Sequence, residues 1–271
     1  MKAAVVQMNS TRDGAANLAA AESLVRQSAA AGAGLIVLPE KWPWLAVGEG
    51  VVEGAEAIDG AALTAASGWA SELGVHLVAG SLTEKRPDGT LSNTSVAFGP
   101  DGKALATYRK IHMFDVDIDG VSYRESDYEK AGSETASFGV GPVEVGLAIC
   151  YDIRFPELFR HLVDREVEVM AIPAAFTATT GRDHWEVLVR ARAIENQCFV
   201  LAANQFGEAE PGFGFWGHSM IVDPWGEVLA TVGEGEGFAV SDLALERLEQ
   251  VRSDLPALRH RRPTLFSTGG A

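Results

Sequence analysis

The stretch that decides the fold runs from Val143 to Arg160 and reads Val-Glu-Val-Gly-Leu-Ala-Ile-Cys-Tyr-Asp-Ile-Arg-Phe-Pro-Glu-Leu-Phe-Arg. Its first part is apolar and β-branched, which predicts a buried strand that ends at Cys150. Pro156 suits the first turn of a helix, so we expect a helix to follow. Open α/β folds present their chemistry at the carboxyl ends of strands. A thiol placed there can be a nucleophile if a neighbouring base removes its proton.

Length and charge limit the classes of protein to consider. The chain has 271 residues, 47% of them hydrophobic, which is enough to bury a substantial core. We interpret it as one domain over residues 1–271, with a C-terminal extension from about residue 252. Lys and Arg number 22 against 37 Asp and Glu, a formal net charge of -15 with no basic block. This argues against binding to nucleic acid or to anionic membranes, so small molecules are the expected partners.

Cysteine and histidine usage points away from disulfides and metals. The two cysteines form neither a disulfide framework nor a C-x-x-C pair, and the six histidines show no paired ligand spacing. We expect no metal site. Met1–Met8 is interpreted as a buried strand rather than a signal peptide, and no apolar run reaches the length of a membrane span. A reducing cytoplasm is the expected compartment.

The predicted elements repeat in two halves. In each half strands alternate with helices, and an antiparallel hairpin follows. Similar short sequences recur at an offset of 124 residues (201 minus 77). Leu77–Gly80 corresponds to Leu201–Asn204, and Pro100–Thr107 corresponds to Pro224–Thr231. Two similar α/β halves with parallel and antiparallel strands predict two mixed sheets packed face to face with helices outside. The expected fold is therefore a four-layer αββα sandwich with an internal pseudo-two-fold.

Two segments lack a clear period. Residues 111–137 mix acids, glycines and aromatics, and we place this long loop beside the site. Residues 255–263 follow a helix predicted over residues 242–251 and are interpreted as extended. Such a terminal segment either lies across a neighbouring surface, such as another subunit, or frays.

Three polar side chains stand at predicted strand ends. Glu40 follows the apolar run of residues 35–39, Lys110 follows the first hairpin, and Cys150 follows the run from Val143. The ordinary alternatives are a solvated strand end for Glu40, a surface cation for Lys110 and a small core residue for Cys150. For Cys198, which begins another apolar run, we keep the core interpretation. The common strand-end position of Glu40, Lys110 and Cys150 favours one shared site.

The motifs around these residues resemble those of a known family. Leu38–Glu40, Tyr108–His112 and Cys150–Glu157, in this order and at this spacing, are similar to the catalytic motifs of the nitrilase superfamily of carbon-nitrogen hydrolases. The resemblance covers almost the whole chain. It implies an enzyme that needs no cofactor and a dimer that extends the sandwich.

The resemblance also implies the role of each residue. Glu40 would be general base and later acid, Lys110 would stabilise the tetrahedral intermediate, and Cys150 would be the nucleophile. The Tyr151 backbone N–H would join Lys110 at the oxyanion, and Glu125 matches a second glutamate of the family. The same loop holds alternatives to Glu125, namely Asp115, Asp117, Asp119 and Asp127.

Later motifs resemble the amidase branch that contains deaminated glutathione amidase and ω-amidase. They lie at residues 180–188, 190–197, 217–226 and 260–263. The branch implies a cysteine-dependent amidase that forms a thioester acyl-enzyme. Its substrate would be deaminated glutathione, in which an amide joins a 2-oxoglutarate unit to cysteinylglycine. Alternative substrates are a nitrile, an N-carbamoyl amino acid and 2-oxoglutaramate, from which ω-amidase releases ammonia. The alternative from a different class is a binding module that has kept the fold without the catalysis.

A 2-oxo-acid amide would need a cation for its carboxylate. The candidates are Arg154, four residues after Cys150, and Arg182, which follows an apparent strand end at residues 176–177 and precedes a helix predicted over residues 183–196. A structural ion pair is the ordinary alternative for each. Phe176 and Thr177, just beyond a predicted strand, are expected to line the pocket.

Overall fold

A computed structural model describes residues 1–118 and 120–265. The strands are β1 (Lys2–Gln7), β2 (Leu35–Val37), β3 (His76–Val78), β4 (Leu82–Lys85), β5 (Leu91–Phe98), β6 (Ala104–Arg109), β7 (Asp115–Ile118), β8 (Val121–Arg124), β9 (Ser137–Val140), β10 (Val143–Leu147), β11 (Val169–Ala174), β12 (Phe199–Asn204), β13 (Phe206–Glu210), β14 (Phe213–Trp216), β15 (Met220–Val222), β16 (Val228–Thr231) and β17 (Gly237–Asp242). The α-helices are α1 (Gly14–Ala30), α2 (Gly50–Glu53), α3 (Ala61–Leu73), α4 (Pro156–Val163), α5 (Ala178–Asn196) and α6 (Leu245–Asp254). Short 3₁₀ helices cover Glu125–Asp127, Cys150–Arg154 and Pro263–Leu265.

Two mixed sheets form the centre of the molecule. The first has the order β17-β1-β2-β3-β5-β4, with β6 paired to β5, and the second has the order β16-β15-β12-β11-β10-β9. The central strands β1, β2 and β3 are parallel, as are β10, β11 and β12, and antiparallel strands flank both sets. The order β1-α1-β2-α3-β3-β5-β6 recurs as β10-α4-β11-α5-β12-β15-β16. This recurrence is the predicted repeat of two halves.

The sheets pack face to face through β1, β2, β11 and β12. Strand β1 shows how alternation builds the layers. Ala3 and Val5 join the core shared with the second sheet, whereas Ala4 and Val6 join the core beneath α1 and α3. Helices α4 and α5 cover the far side of the second sheet. The predicted four-layer αββα sandwich is confirmed.

Local signals explain most element boundaries. The Asp13 side chain accepts a hydrogen bond from the Ala16 N–H at 3.0 Å and caps α1. Helix α3 ends at Gly74, whose φ of 65° is the left-handed conformation that favours glycine. Within residues 1–118 and 120–265, no helix combines the length and the apolar character needed to cross a membrane.

Several predicted segments differ from the structure, including the helix predicted over residues 242–251, which covers Leu245–Asp254. Residues 111–137, which we predicted to be a loop, contain the hairpin β7–β8, because residues 115–118 pair with residues 121–124 in a short antiparallel ladder. Helix α5 begins at Ala178 rather than Asp183, since tight packing of Gly181 against Trp216 overrides its low helix propensity. Residues 255–263 are not extended, because backbone bonds to Pro256 and Ala257 close turns. The remainder of the predicted extension, residues 266–271, lies outside the described residues.

Candidate active site

A cavity of about 440 Å³ opens where the predicted strand ends meet. Glu40 comes from the loop after β2, Lys110 from the end of β6, and Cys150 from the turn after β10. The three predicted residues are therefore brought together. Apolar and aromatic side chains from three further segments complete the wall: Leu45, Ala46, Val47, Val51, Phe114, Tyr123, Tyr128, Phe213 and Phe215.

Lys110 is buried between two carboxylates. Its Nζ lies 3.2 Å from Glu40 Oε1 and 2.8 Å from Glu125 Oε2, and its side chain is 2% exposed. Burial by itself would lower the pKa of Lys110, but Glu125 and Glu40 outweigh it and raise the pKa well above the usual value. Burial would likewise raise the pKa of Glu125, yet Lys110 lowers it. The site thus holds a permanent ammonium group.

Cys150 occupies a strained turn. Its φ of 46° lies in the left-handed region, which is uncommon for a residue with a side chain. Burial raises the pKa of the thiol well above its usual value, the Glu40 charge adds to this rise, and Lys110 opposes it. The thiol is therefore protonated near neutral pH, and reaction requires a base beside it.

Asp152 ties the Cys150 turn to the strand end that carries Lys110. Its fully buried carboxylate accepts hydrogen bonds from Tyr108 Oη at 2.7 Å and from the Ile149 N–H at 2.8 Å. The other oxygen contacts His112, at 2.7 Å from Nδ1 and 3.2 Å from the backbone nitrogen. Tyr108 and His112 flank Lys110 in sequence, so this one carboxylate sets the position of both segments.

Glu40 is held from several directions. Its Oε2 accepts from the Ala175 N–H at 2.7 Å, and its carbonyl accepts from Gln205 Nε2 at 2.9 Å. The loop passes so close to Gly80, whose φ is 48°, that a Cβ there would lie 2.0 Å from the Pro39 carbonyl oxygen. Only glycine fits such an approach.

Arg154 lines the cavity beside the nucleophile. Its guanidinium lies 5.0 Å from the Phe176 ring centroid and 5.9 Å from that of Tyr151. Among the described residues no carboxylate forms an ion pair with it; the nearest polar contact is His184 Nδ1 at 3.4 Å. The ordinary alternative for Arg154, a structural ion pair, is therefore not what the structure holds. Phe176 and Thr177 also line the cavity.

The prediction for Arg182 is corrected. Because α5 begins before it, Arg182 lies on a helix rather than in a strand-end loop. Its side chain is 70% exposed, contacts Asp183 at 3.3 Å and does not line the cavity.

The acidic loop residues separate by position. Glu125 contacts Lys110, whereas Asp117 pairs with Arg124 at 2.8 Å and Asp115 accepts from the Ser126 N–H at 3.0 Å. Asp127 lines the cavity without such a contact to Lys110. Asp119 lies outside the described residues.

Sequence reasoning missed a second buried ion pair and an amide. Lys41 Nζ pairs with Glu129 and donates to Thr83 Oγ1 at 2.6 Å, and both charged residues line the cavity. Asn93 Nδ2 donates to Glu40 and Glu125. The one available signal for Asn93 was the polar run of residues 92–95 next to an apolar strand. Nothing in the sequence linked Lys41 to Glu129.

The described residues contain no group of three or more His, Cys, Asp and Glu side chains arranged to hold a metal ion. The Glu40 and Glu125 carboxylates instead share the Lys110 ammonium. The arrangement can thus supply a nucleophile, a base and a fixed positive charge.

Comparison with known proteins agrees with this geometry. The family model described as carbon-nitrogen hydrolase matches residues 2–253. The chain belongs to the carbon-nitrogen hydrolase family. It is 39% identical over 268 residues to omega-amidase NIT2 of Danio rerio, covering 97% of this chain and 95% of the relative. It is 41% identical over 268 residues to deaminated glutathione amidase of Synechocystis sp., covering 96% and 97%. The predicted family resemblance is confirmed.

Solved structures of this family share the fold. The C. elegans NitFhit protein superposes with a TM-score of 0.90 at 34% identity, covering 98% of this chain and 66% of that longer one. A mutant amidase from Nesterenkonia sp. AN1 superposes with a TM-score of 0.83 at 27% identity, covering 98% and 95%. In that structure the acetamide moiety of fluoroacetamide is covalently added to the active-site cysteine.

Proposed function

We propose that this chain is a cysteine-dependent amidase that cleaves the amide of a 2-oxo acid through a thioester acyl-enzyme, with deaminated glutathione as its substrate. The observation that carries the proposal is the convergence of Glu40, Lys110 and Cys150 at one buried edge of the cavity, beside Arg154, which forms no ion pair with any carboxylate of the described residues. A nucleophile, a base, an oxyanion cation and a carboxylate-binding cation are thereby within one pocket.

Acylation begins with proton transfer from the Cys150 thiol to Glu40 as Sγ attacks the amide carbonyl carbon. The carbonyl oxygen becomes an oxyanion, which Lys110 Nζ and the Tyr151 N–H stabilise; losing one such donor typically costs about 10²- to 10³-fold in rate. Glu40 then gives its proton to the amide nitrogen, the C–N bond breaks, and the amine leaves. Cys150 retains the acyl group as a thioester.

Deacylation uses the same groups. Glu40 takes a proton from water as the water oxygen attacks the thioester carbonyl, and Lys110 again meets the oxyanion. The C–S bond breaks, Glu40 returns the proton to the Cys150 sulfur, and the carboxylic acid leaves. Glu125 keeps Lys110 charged and oriented through both steps, as its two contacts of 2.8 and 3.0 Å suggest.

The residues that line the cavity suit both parts of such an amide, the 2-oxo acid and the organic amine. Arg154, with Phe176 and Thr177 around it, would bind the 2-oxo-acid carboxylate as a charge-assisted pair. The apolar stretch Leu45–Val47, which follows Glu40 and Lys41 in the chain, lines the same cavity. That space suits cysteinylglycine better than ammonia. Because omega-amidase NIT2 is a similarly close relative, 2-oxoglutaramate is the second candidate.

The test is a side-by-side kinetic comparison of deaminated glutathione, 2-oxoglutaramate, a nitrile and an N-carbamoyl amino acid. We expect the highest kcat/KM for deaminated glutathione. A higher value for 2-oxoglutaramate would favour the second candidate, and a preference for the nitrile or the carbamoyl compound would reject the amidase. Cys150→Ala should abolish turnover of every substrate, and unchanged activity in this variant would reject Cys150 as the nucleophile. Failure of Cys150 to react selectively with a thiol alkylator would favour a binding module that has kept the fold without the catalysis.

We further propose one catalytic domain over residues 1–271 that works as a homodimer in the cytoplasm. The family match over residues 2–253 supports one domain, and the free thiols of Cys150 and Cys198 suit a reducing compartment. Exposed apolar side chains on α5, with Val187 67% and Ile194 48% exposed, suit a subunit interface. Sedimentation as a monomer at micromolar concentration would reject the dimer.

A further inference from the structure

Asn93 lies against both active-site carboxylates although it does not line the cavity. Its Nδ2 donates to Glu40 Oε1 at 2.7 Å and to Glu125 Oε1 at 3.1 Å. The same two oxygen atoms contact Lys110 Nζ, at 3.2 and 3.0 Å. Two acceptors and two donors therefore close a ring in which each carboxylate is held by one neutral donor and one charged donor.

Strand pairing places the two donors side by side. The Lys110 N–H donates to the Asn93 carbonyl at 2.9 Å, directly after the pairing of Thr94 with Arg109 between β5 and β6. Both Asn93 and Lys110 are buried. The register of β5 on β6 thus determines that the amide and the ammonium reach the same two carboxylates.

The other end of the amide indicates that Asn93 is there for its N–H donors. Its Oδ1 is buried and has no hydrogen-bond partner among the described residues. A buried acceptor without a partner destabilises the folded state, so an apolar side chain would serve better if the position only filled space. An amide offers two N–H groups, whereas a serine or threonine hydroxyl offers one O–H. Only the amide can donate to both carboxylates at once.

The surrounding charges explain why a neutral donor suits the position. The charged and titratable groups that face Glu40 and Glu125 are Lys41, Lys110, Glu129 and Cys150. Three carboxylates thus share two ammonium groups. An uncharged N–H pair binds the two carboxylates without adding a group that titrates.

We propose that Asn93 is a positioning residue that holds the Glu40 and Glu125 carboxylates against Lys110, each in one orientation, for proton transfer at Cys150. The inference rests on the proposed amidase function. It assigns no contact with the substrate to Asn93, which acts through the two glutamates.

Three variants test it. Asn93→Ala removes both hydrogen bonds, and Asn93→Asp keeps the shape but adds a carboxylate against two others. Asn196→Ala is the matched control, because Asn196 is fully buried, its Oδ1 also lacks a partner, and its Nδ2 donates to the Arg192 carbonyl at the far end of α5. The readouts are kcat, KM, the pH profile of kcat/KM and the urea midpoint.

We expect Asn93→Asp to move the acid limb of the profile upward by roughly one to three pH units, because adjacent carboxylates cannot all ionise. Asn93→Ala should lower kcat by roughly 10- to 100-fold with little change in KM, since misplacement of a reacting group costs about this much. Asn196→Ala should lose stability while keeping the wild-type acid limb. If Asn93→Ala does not fold, Asn93→Ser, with one donor, takes its place and should give an intermediate kcat.

The inference is overturned if the Asn93 variants keep the wild-type acid limb and kcat once the folded fraction is taken into account. Cys150→Ala, assayed in parallel, separates this failure from failure of the proposed function, because an active Cys150→Ala variant rejects the amidase mechanism itself. The pH dependence of Cys150 alkylation by iodoacetamide adds a readout that needs no amide. Asn93→Asp should change it and Asn196→Ala should not, and an unchanged profile in Asn93→Asp counts against the inference.

Discussion

Replacing Lys41 by methionine would leave a carboxylate buried without its cation. Glu129 is 2% exposed and pairs with Lys41 Nζ, which also donates to Thr83 Oγ1 at 2.6 Å. Burial raises the pKa of Glu129 above its usual value, Lys41 lowers it, and the neighbouring Glu125 raises it. Lys41→Met removes the lowering effect, so the folded protein should hold the Glu129 proton to a higher pH.

The sign and size of the effect follow from proton linkage. The pKa of Glu129 is higher in the folded protein than in the unfolded chain, where it is about 4.3. The unfolded chain therefore releases this proton first, and the free energy of unfolding falls as pH rises between the two pKa values. Each pH unit in this window costs about 1.4 kcal/mol. The loss near neutral pH should therefore be about 3–5 kcal/mol, the loss typical for removing one partner of a buried ion pair. Near pH 5 the loss should be only about 1 kcal/mol.

Urea unfolding at about pH 5 and pH 8 measures this difference. The double variant Lys41→Met/Glu129→Gln carries no charge at the pair and should recover most of the stability at high pH. Arg247→Met is the control, because its partner Asp223 is also buried but keeps hydrogen bonds from the Trp225 and Glu227 N–H groups. A loss in Lys41→Met that is equal at both pH values would refute the reasoning.

Three further predictions concern the site. Asp152→Asn should destabilise the fold by about 2 to 4 kcal/mol and lower kcat, because an amide N–H would face the Ile149 N–H. Urea unfolding and steady-state kinetics measure the two effects, and wild-type values of both the free energy of unfolding and kcat would contradict the prediction. Arg154→Met should raise KM for a 2-oxo-acid amide by roughly 10- to 100-fold, because one charge-assisted hydrogen bond to the substrate is lost. An unchanged KM would exclude Arg154 from carboxylate binding. Alkylation of Cys150 by iodoacetamide should still accelerate above about pH 8.5, where an ordinary thiol levels off, because burial raises its pKa; a plateau below that pH would contradict the raised pKa.

Much of the fold could be predicted because its signals are local or repeated. Apolar runs identified the central strands, and the offset of 124 between Leu77–Gly80 and Leu201–Asn204 indicated two similar halves. The strand-end rule then placed Glu40, Lys110 and Cys150 together. These inferences needed only periodicity and the general geometry of α/β sheets.

The parts that could not be predicted depend on contacts between distant residues. The Lys41–Glu129 pair joins two loops 88 positions apart, and neither loop has a pattern that names the other. Arg154 and Arg182 looked equivalent as cations near a strand end, but the early start of α5 turned Arg182 outward. Asn93 lies in a buried strand, and its contacts with Glu40 and Glu125 join residues 53 and 32 positions apart in sequence, so no local pattern linked it to the site.

In the proposed mechanism every substrate passes through a thioester on Cys150. Deaminated glutathione and 2-oxoglutaramate share the 2-oxoglutaryl group and differ in the amine, so both must give the same acyl-enzyme. Turnover in the presence of hydroxylamine measures this directly, because hydroxylamine competes with water for the thioester. We expect the same ratio of hydroxamate to acid from both amides and no product from Cys150→Ala. Ratios that differ between the two amides, or product formation by Cys150→Ala, would contradict it.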